Sequence, residues 1–158
     1  MRVQLIVATI LAVAFGAQAQ AAPIMAPVAT SSAGESSQVV RVGFGERLDR
    51  ARTRAGASDL RSSPRLRRAA RAHAADMIDR SYFSHTAPDG SGPMERAQGA
   101  DCRCHAIAEN IAMGQRNARE VFKAWMNSPD HRDNMLRDGY SRFGLGHVGD
   151  TWVLMLSD

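Results

Sequence analysis

The sequence predicts an α+β domain, helices wrapped around a small, mainly antiparallel sheet, on three observations. Apolar residues recur at three- and four-residue steps from Val40 and again from Leu66, as in helices with one buried face. A further stripe of this kind, Ala118, Val121, Phe122, Trp125 and Met126, stands just before Pro129. The tail carries two strand-like runs separated by Gly149-Asp150, which reads as a hairpin turn.

The elements follow in order. Val40, Phe44, Leu48, Ala51 and Ala55 mark the first helix, which Gly56 is placed to stop. The second begins at Ser63-Pro64, serine capping the free amides and proline preset for the first turn, with the stripe Leu66, Ala70, His73 and Met77. Pro88-Asp89-Gly90 is a turn, and Pro93 to Gln98 a short helix. Ile107 to Ala112 reads as a strand. After the Trp125 helix, Pro129 forces a break, and Ser128-Pro129-Asp130-His131 opens another short helix that Gly139 closes. Arg142 to Val148 and Trp152 to Leu156 are the tail strands.

The chain has 158 residues and is 44 % hydrophobic, enough for one core. Its N-terminus reads as a secretory signal peptide over residues 1–21: Met1-Arg2 supplies positive charge, Leu5 to Phe15 is apolar, and Ala17-Gln18-Ala19 or Ala19-Gln20-Ala21 fits a cleavage site. The apolar run falls short of the ~20 residues of a membrane span. No cysteine follows it for a lipid anchor. Small polar residues with Pro23 and Pro27 make residues 22–37 a disordered tether, leaving residues 38–158 as the domain. A secreted or periplasmic monomer without a transmembrane segment is expected. The net charge of +4 is mild. Ten arginines between Arg41 and Arg71 read as solvated helix faces, not a nucleic-acid surface, because no aromatic residues interleave for base stacking.

Three positions carry chemistry: His85, Glu109 and His131. His85 precedes the Pro-Asp-Gly turn, Glu109 lies in Ala108-Glu109-Asn110-Ile111, and His131 is in the first turn of a capped helix. Two imidazoles with a carboxylate suit Zn2+ or another divalent cation, or acid–base work near neutral pH. Cys102 and Cys104 read as loop thiols or a strained bridge in preference to a redox pair, which favours Cys-x-x-Cys. His73 reads as a hydrogen-bonded core histidine and Trp125 as a packing anchor. Asn110 is expected to bond backbone, and His105 and His147 to lie at the surface.

Five motifs in register resemble bacterial CAP (SCP-like) domains. They are Leu66-x-x-Ala69-Ala70-x-x-His73-Ala74-x-Asp76-Met77, Phe83-Ser84-His85, Glu109-Asn110-Ile111-Ala112, Trp125-Met126-x-Ser128-Pro129-x-His131-Arg132-x-Asn134-Met135-Leu136, and Gly144-x-Gly146. The resemblance runs from about Val39 to the C-terminus. It implies an α-β-α sandwich with a groove where His85, Glu109 and His131 match metal-holding positions. Ser128 stands where eukaryotic members carry a second glutamate, and their cysteine framework is absent.

The expected function is a non-catalytic binding module whose groove takes a divalent metal or a small-molecule, lipid or peptide ligand. The alternatives are a metal-assisted hydrolase using the same groove, and a structural or adhesive envelope protein. No Ser-His-Asp or Cys-His arrangement supports an enzyme.

Overall fold

The computed structural model describes residues 32–158, with side chains from Gly43 onward. The expected leader, and the tether as far as residue 31, lie outside the described residues. The elements in chain order are α1 (Ser32–Ala55), β1 (Arg61–Ser62), α2 (Pro64–Asp79), α3 (Pro93–Gly99), β2 (Ile107–Met113), α4 (Ala118–Asn127), α5 (Pro129–Leu136), β3 (Arg142–Val148) and β4 (Thr151–Ser157). No helix among the described residues is long and apolar enough to cross a membrane.

The sheet order is β1-β3-β4-β2, with β4 antiparallel to both neighbours and β1 parallel to β3. β4 is buried along its whole length, and its side chains alternate between two helical layers, as the period of two requires. Trp152, Leu154 and Leu156 pack in one core with Phe44, Leu48, Val121, Trp125 and Met135. Val153 and Met155 pack in the other with Leu66, Ala70, Met77 and Ala97. The result is an α-β-α sandwich, the architecture expected from the sequence.

Helix α2 lies so close to β3 that only glycine fits beneath it. A Cβ on Gly144 would stand 2.3 Å from the Leu66 carbonyl carbon, and one on Gly146 would stand 2.4 Å from that of Ala70. Ser63 caps α2 by accepting from the Leu66 amide at 3.3 Å. The hairpin between β3 and β4 turns at Gly149, whose φ of 55° lies in the left-handed region.

Three elements differ from expectation. α1 starts at Ser32, so residues 32–37, read as disordered tether, are helical: extending a helix already anchored at Phe44 and Leu48 avoids the cost of a new nucleus. β1 has only two residues and no periodicity to announce it; it exists because the Arg61 amide donates to Ser141 at 2.9 Å and the Ser63 amide to Phe143 at 2.7 Å. Arg52, read as part of a solvated face, is fully buried. Its guanidinium donates to the carbonyls of Met135 at 2.9 Å, Arg137 at 3.0 Å and Tyr140 at 3.4 Å, and its Nε to Ser58 at 2.6 Å. A cation there satisfies orphan carbonyls at the end of α5 and opposes the negative end of its dipole.

The α2–β3 contact makes a direct prediction. Gly146→Ala pushes a methyl group into helix backbone and should cost about 2 kcal/mol or more by urea denaturation. A loss below about 0.5 kcal/mol, the range of a neutral surface change, would contradict the close approach.

Candidate functional site

Glu109, on β2, is buried with its side chain 1 % exposed. Arg96 of α3 brings its Nη2 to 3.1 Å from Oε1 and 3.0 Å from Oε2. His85 Nδ1 lies 2.9 Å from Oε1. A carboxylate paired with a guanidinium only accepts hydrogen bonds, so Nδ1 carries the proton and donates. The opposite nitrogen, Nε2, is then the free one on a ring that is half exposed. Arg96 also locks the loop, donating to the His85 carbonyl at 2.7 Å and the Ser91 carbonyl at 2.8 Å.

His73 completes the base of this cluster. Its Nε2 donates to the Ser84 carbonyl at 3.1 Å and stands 3.7 Å from Glu109 Oε1. Burial pushes its pKa below the ordinary value, outweighing the nearby Glu109 charge, so the ring is neutral at pH 7. Tyr82 Oη donates to Asp76 Oδ2 at 2.5 Å beside it. Burial, then that hydrogen bond, pushes the Tyr82 hydroxyl up to about 12.

Edge strand β2 uses two successive residues to hold two layers. Glu109 points to the α2–α3 side, and Asn110, on the opposite face, points to α5. The Asn110 amide donates to the His131 carbonyl at 2.9 Å and its oxygen accepts from Asn134 Nδ2 at 2.9 Å. His131 Nδ1 is paired with Ser128 Oγ at 2.9 Å. The Ser128 hydroxyl is therefore used on the imidazole, and α5 has no side-chain cap bond. Burial lowers the His131 pKa, and the proximity of His85 lowers it further, so the two imidazoles sense one another.

The expected metal set of His85, Glu109 and His131 does not fit as three ligands. Both Glu109 oxygens face the Arg96 guanidinium, a fixed positive charge where a cation would bind. Among the described residues, no group of three or more His, Cys, Asp or Glu side chains could hold a metal ion. His85 and Glu109 are brought into contact. His131 is joined to them only through its field and through Asn110.

Other residues fall into place by packing. Trp125 is buried and donates from Nε1 to the Ile111 carbonyl at 3.2 Å, anchoring α4 to the sheet. Asn110 bonds backbone. His105 is exposed at the C-terminal end, its Nδ1 3.3 Å from Asp158 Oδ2. His147, expected at the surface, is half-buried and stacks on Trp152 with centroids 3.6 Å apart. Cys102 and Cys104 form a disulfide, with Cα atoms 5.3 Å apart.

The Cysteine-rich secretory protein (CAP) family pattern matches residues 46–154, which contain His73, His85, Arg96, Glu109 and His131. The chain belongs to the CAP family. This CAP domain is 34 % identical over 126 residues to YkwD, an uncharacterized protein of Bacillus subtilis, a match covering 78 % of this chain and 49 % of YkwD. It is 28 % identical over 74 residues to the uncharacterized membrane protein YlbC of the same organism, covering 47 % of this chain and 21 % of YlbC. The chain thus spans about half of YkwD and about a fifth of YlbC.

Solved structures show the same fold. An extracellular SCP-domain protein from Bacillus anthracis superposes with a TM-score of 0.73 at 22 % identity, covering 82 % of this chain and 45 % of that one. An outer surface protein from Borrelia burgdorferi gives 0.67 at 21 % identity, covering 78 % of this chain and 92 % of that one.

Sequence reading missed Arg96 and the contact of His73 with Glu109. Arg96 sits in a seven-residue helix, too short for a periodic pattern to single out one inward-facing arginine. If Arg96 neutralises Glu109, Arg96→Met leaves a buried carboxylate uncompensated and should cost about 3 kcal/mol in urea denaturation. Adding Glu109→Gln should recover part of that loss. Two additive effects would show that the residues are not coupled.

Proposed function

We propose that this CAP domain is an exported, non-catalytic binding module whose groove takes a peptide segment through His85 and His131. The observation that carries the reading is the engagement of Glu109. Its carboxylate, the group a hydrolase would use to move a proton, lies buried beneath Arg96 and orients His85 instead. That leaves the outer nitrogen of a half-exposed imidazole as a hydrogen-bonding group toward solvent.

A peptide suits what surrounds that nitrogen. Phe83, two residues before His85, is 48 % exposed and offers apolar area beside a polar contact. Peptide ligands supply both carbonyls and side chains to such a pairing. Export is supported by the leader-like run of residues 1–21 and by similarity to proteins described as extracellular and outer-surface.

One observation favours a second reading. A carboxylate holding the inner nitrogen of a histidine is also the arrangement that orients metal-ligating imidazoles. In that reading His85 and His131 would contact a divalent cation, with Glu109 behind His85 and outside the ligand set.

The test uses the mature protein, wild type and His85→Ala/His131→Ala, against random peptide pools and zinc. The proposal expects peptide-induced shifts of the two imidazole resonances in the wild type, none in the variant, and no peptide cleavage. Saturable zinc heat that disappears in the variant, without peptide binding, would replace the peptide with a metal. Chelator-sensitive cleavage lost in Glu109→Ala would overturn the non-catalytic reading.

A further inference from the structure

A recess of about 860 Å3 is lined by Ser63, Arg65, Gln98, Asp101, Arg103 and Arg142, with Cys102 at its wall. None of these residues bonds to His85, Glu109 or His131 in the site described above. We propose that this recess is a binding site for a ligand carrying two or more phosphate groups.

Charge is the first argument. Three guanidiniums face one carboxylate, Asp101, across the recess, an excess that calls for an anion of more than one charge. The guanidiniums are also free to bind. Among the described residues, Arg65 and Arg103 have no hydrogen-bond or ion-pair partner, and Arg142 uses one nitrogen, Nη1, on the Asp158 carbonyl at 2.6 Å. Some other arginines on this domain are engaged: Arg52 donates to carbonyl oxygens, Arg96 to the Glu109 carboxylate and two carbonyls, and Arg116 pairs with Glu120 at 2.8 Å.

Placement is the second argument. The arginines come from three separate parts of the chain: the first turn of α2, the α3–β2 loop and the start of β3. Arg103 lies inside the small covalent ring closed by the Cys102–Cys104 disulfide. That ring restricts the backbone on both sides of Arg103, lowering the entropy lost when its side chain takes a ligand. The start of α2 adds to the same field, since Ser63 is its N-cap and the positive end of the helix dipole lies there.

Size and donor shape select phosphate. Guanidinium forks match the paired oxygens of a phosphate, and arginines from separate elements can each hold a different group. The recess exceeds the needs of one small anion and suits a diphosphate or a longer phosphodiester ligand.

The mature protein is titrated calorimetrically at low salt with pyrophosphate, orthophosphate and succinate, beside Arg65→Ala, Arg103→Ala and the control Arg119→Ala, an exposed arginine on α4. Pyrophosphate is expected to bind saturably and more tightly than orthophosphate, with succinate weaker than both. Each recess variant should lose about tenfold in affinity, Arg119→Ala should lose none, and added salt should weaken binding. A binding curve unchanged in both recess variants, equal loss in Arg119→Ala, equal binding of succinate, or no saturable pyrophosphate binding would each overturn the proposal. Arg65 and Arg103 make no contact the fold uses, so all variants should melt with the wild type. Polyphosphate in place of pyrophosphate separates the sources: tighter binding per molecule points to a polymer, equal binding to a small diphosphate.

Discussion

Burying one carboxylate at the edge of a sheet sets most of what this domain can do. Glu109 has left water almost completely, and a buried charge is tolerated only when it is paired and hydrogen-bonded. Arg96 supplies the opposite charge, and His85 the further hydrogen bond. That pairing draws α3 and the loop between α2 and α3 onto β2. It also leaves the carboxylate engaged by the guanidinium and holding the His85 ring in place.

The layered core makes the burial possible. β4 is apolar on both faces and is covered by helices on each, so neighbouring β2 can place successive residues into different layers. Glu109 reaches the α2–α3 layer and Asn110 reaches α5, so one edge strand ties down both histidine-bearing segments. The tight seat of α2 on Gly144 and Gly146 fixes His73 beneath the same carboxylate. Arg52 plays a comparable part at the far end of α5, where it gathers carbonyls instead of a carboxylate.

Elements with a long apolar period were legible in the sequence. The α2 stripe through Leu66, Ala70, His73 and Met77 is buried as its spacing demands, and Trp125 packs where an aromatic at helical spacing belongs. β3 spans the expected residues, and the other two long strands run one residue further at one or both ends. Family motifs pointed to the sandwich and to the neighbourhood of His85, Glu109 and His131. Polar partners were not legible, because they depend on contacts between elements distant in sequence. Arg96 and Arg52 look like any surface arginine in a chain rich in them, and no local pattern distinguishes them from Arg50 or Arg68. Ser128 reads as a helix cap, and only the folded chain shows its hydroxyl turned to His131.

The central claim is that Glu109 holds His85 by its inner nitrogen and leaves the outer one toward solvent. Nitrogen-15 NMR of the imidazole in the neutral protein tests it most directly, since the two ring nitrogens differ in chemical shift according to which bears the proton. The account predicts His85 protonated on Nδ1 with Nε2 bare. A neutral His85 protonated on Nε2 would contradict it.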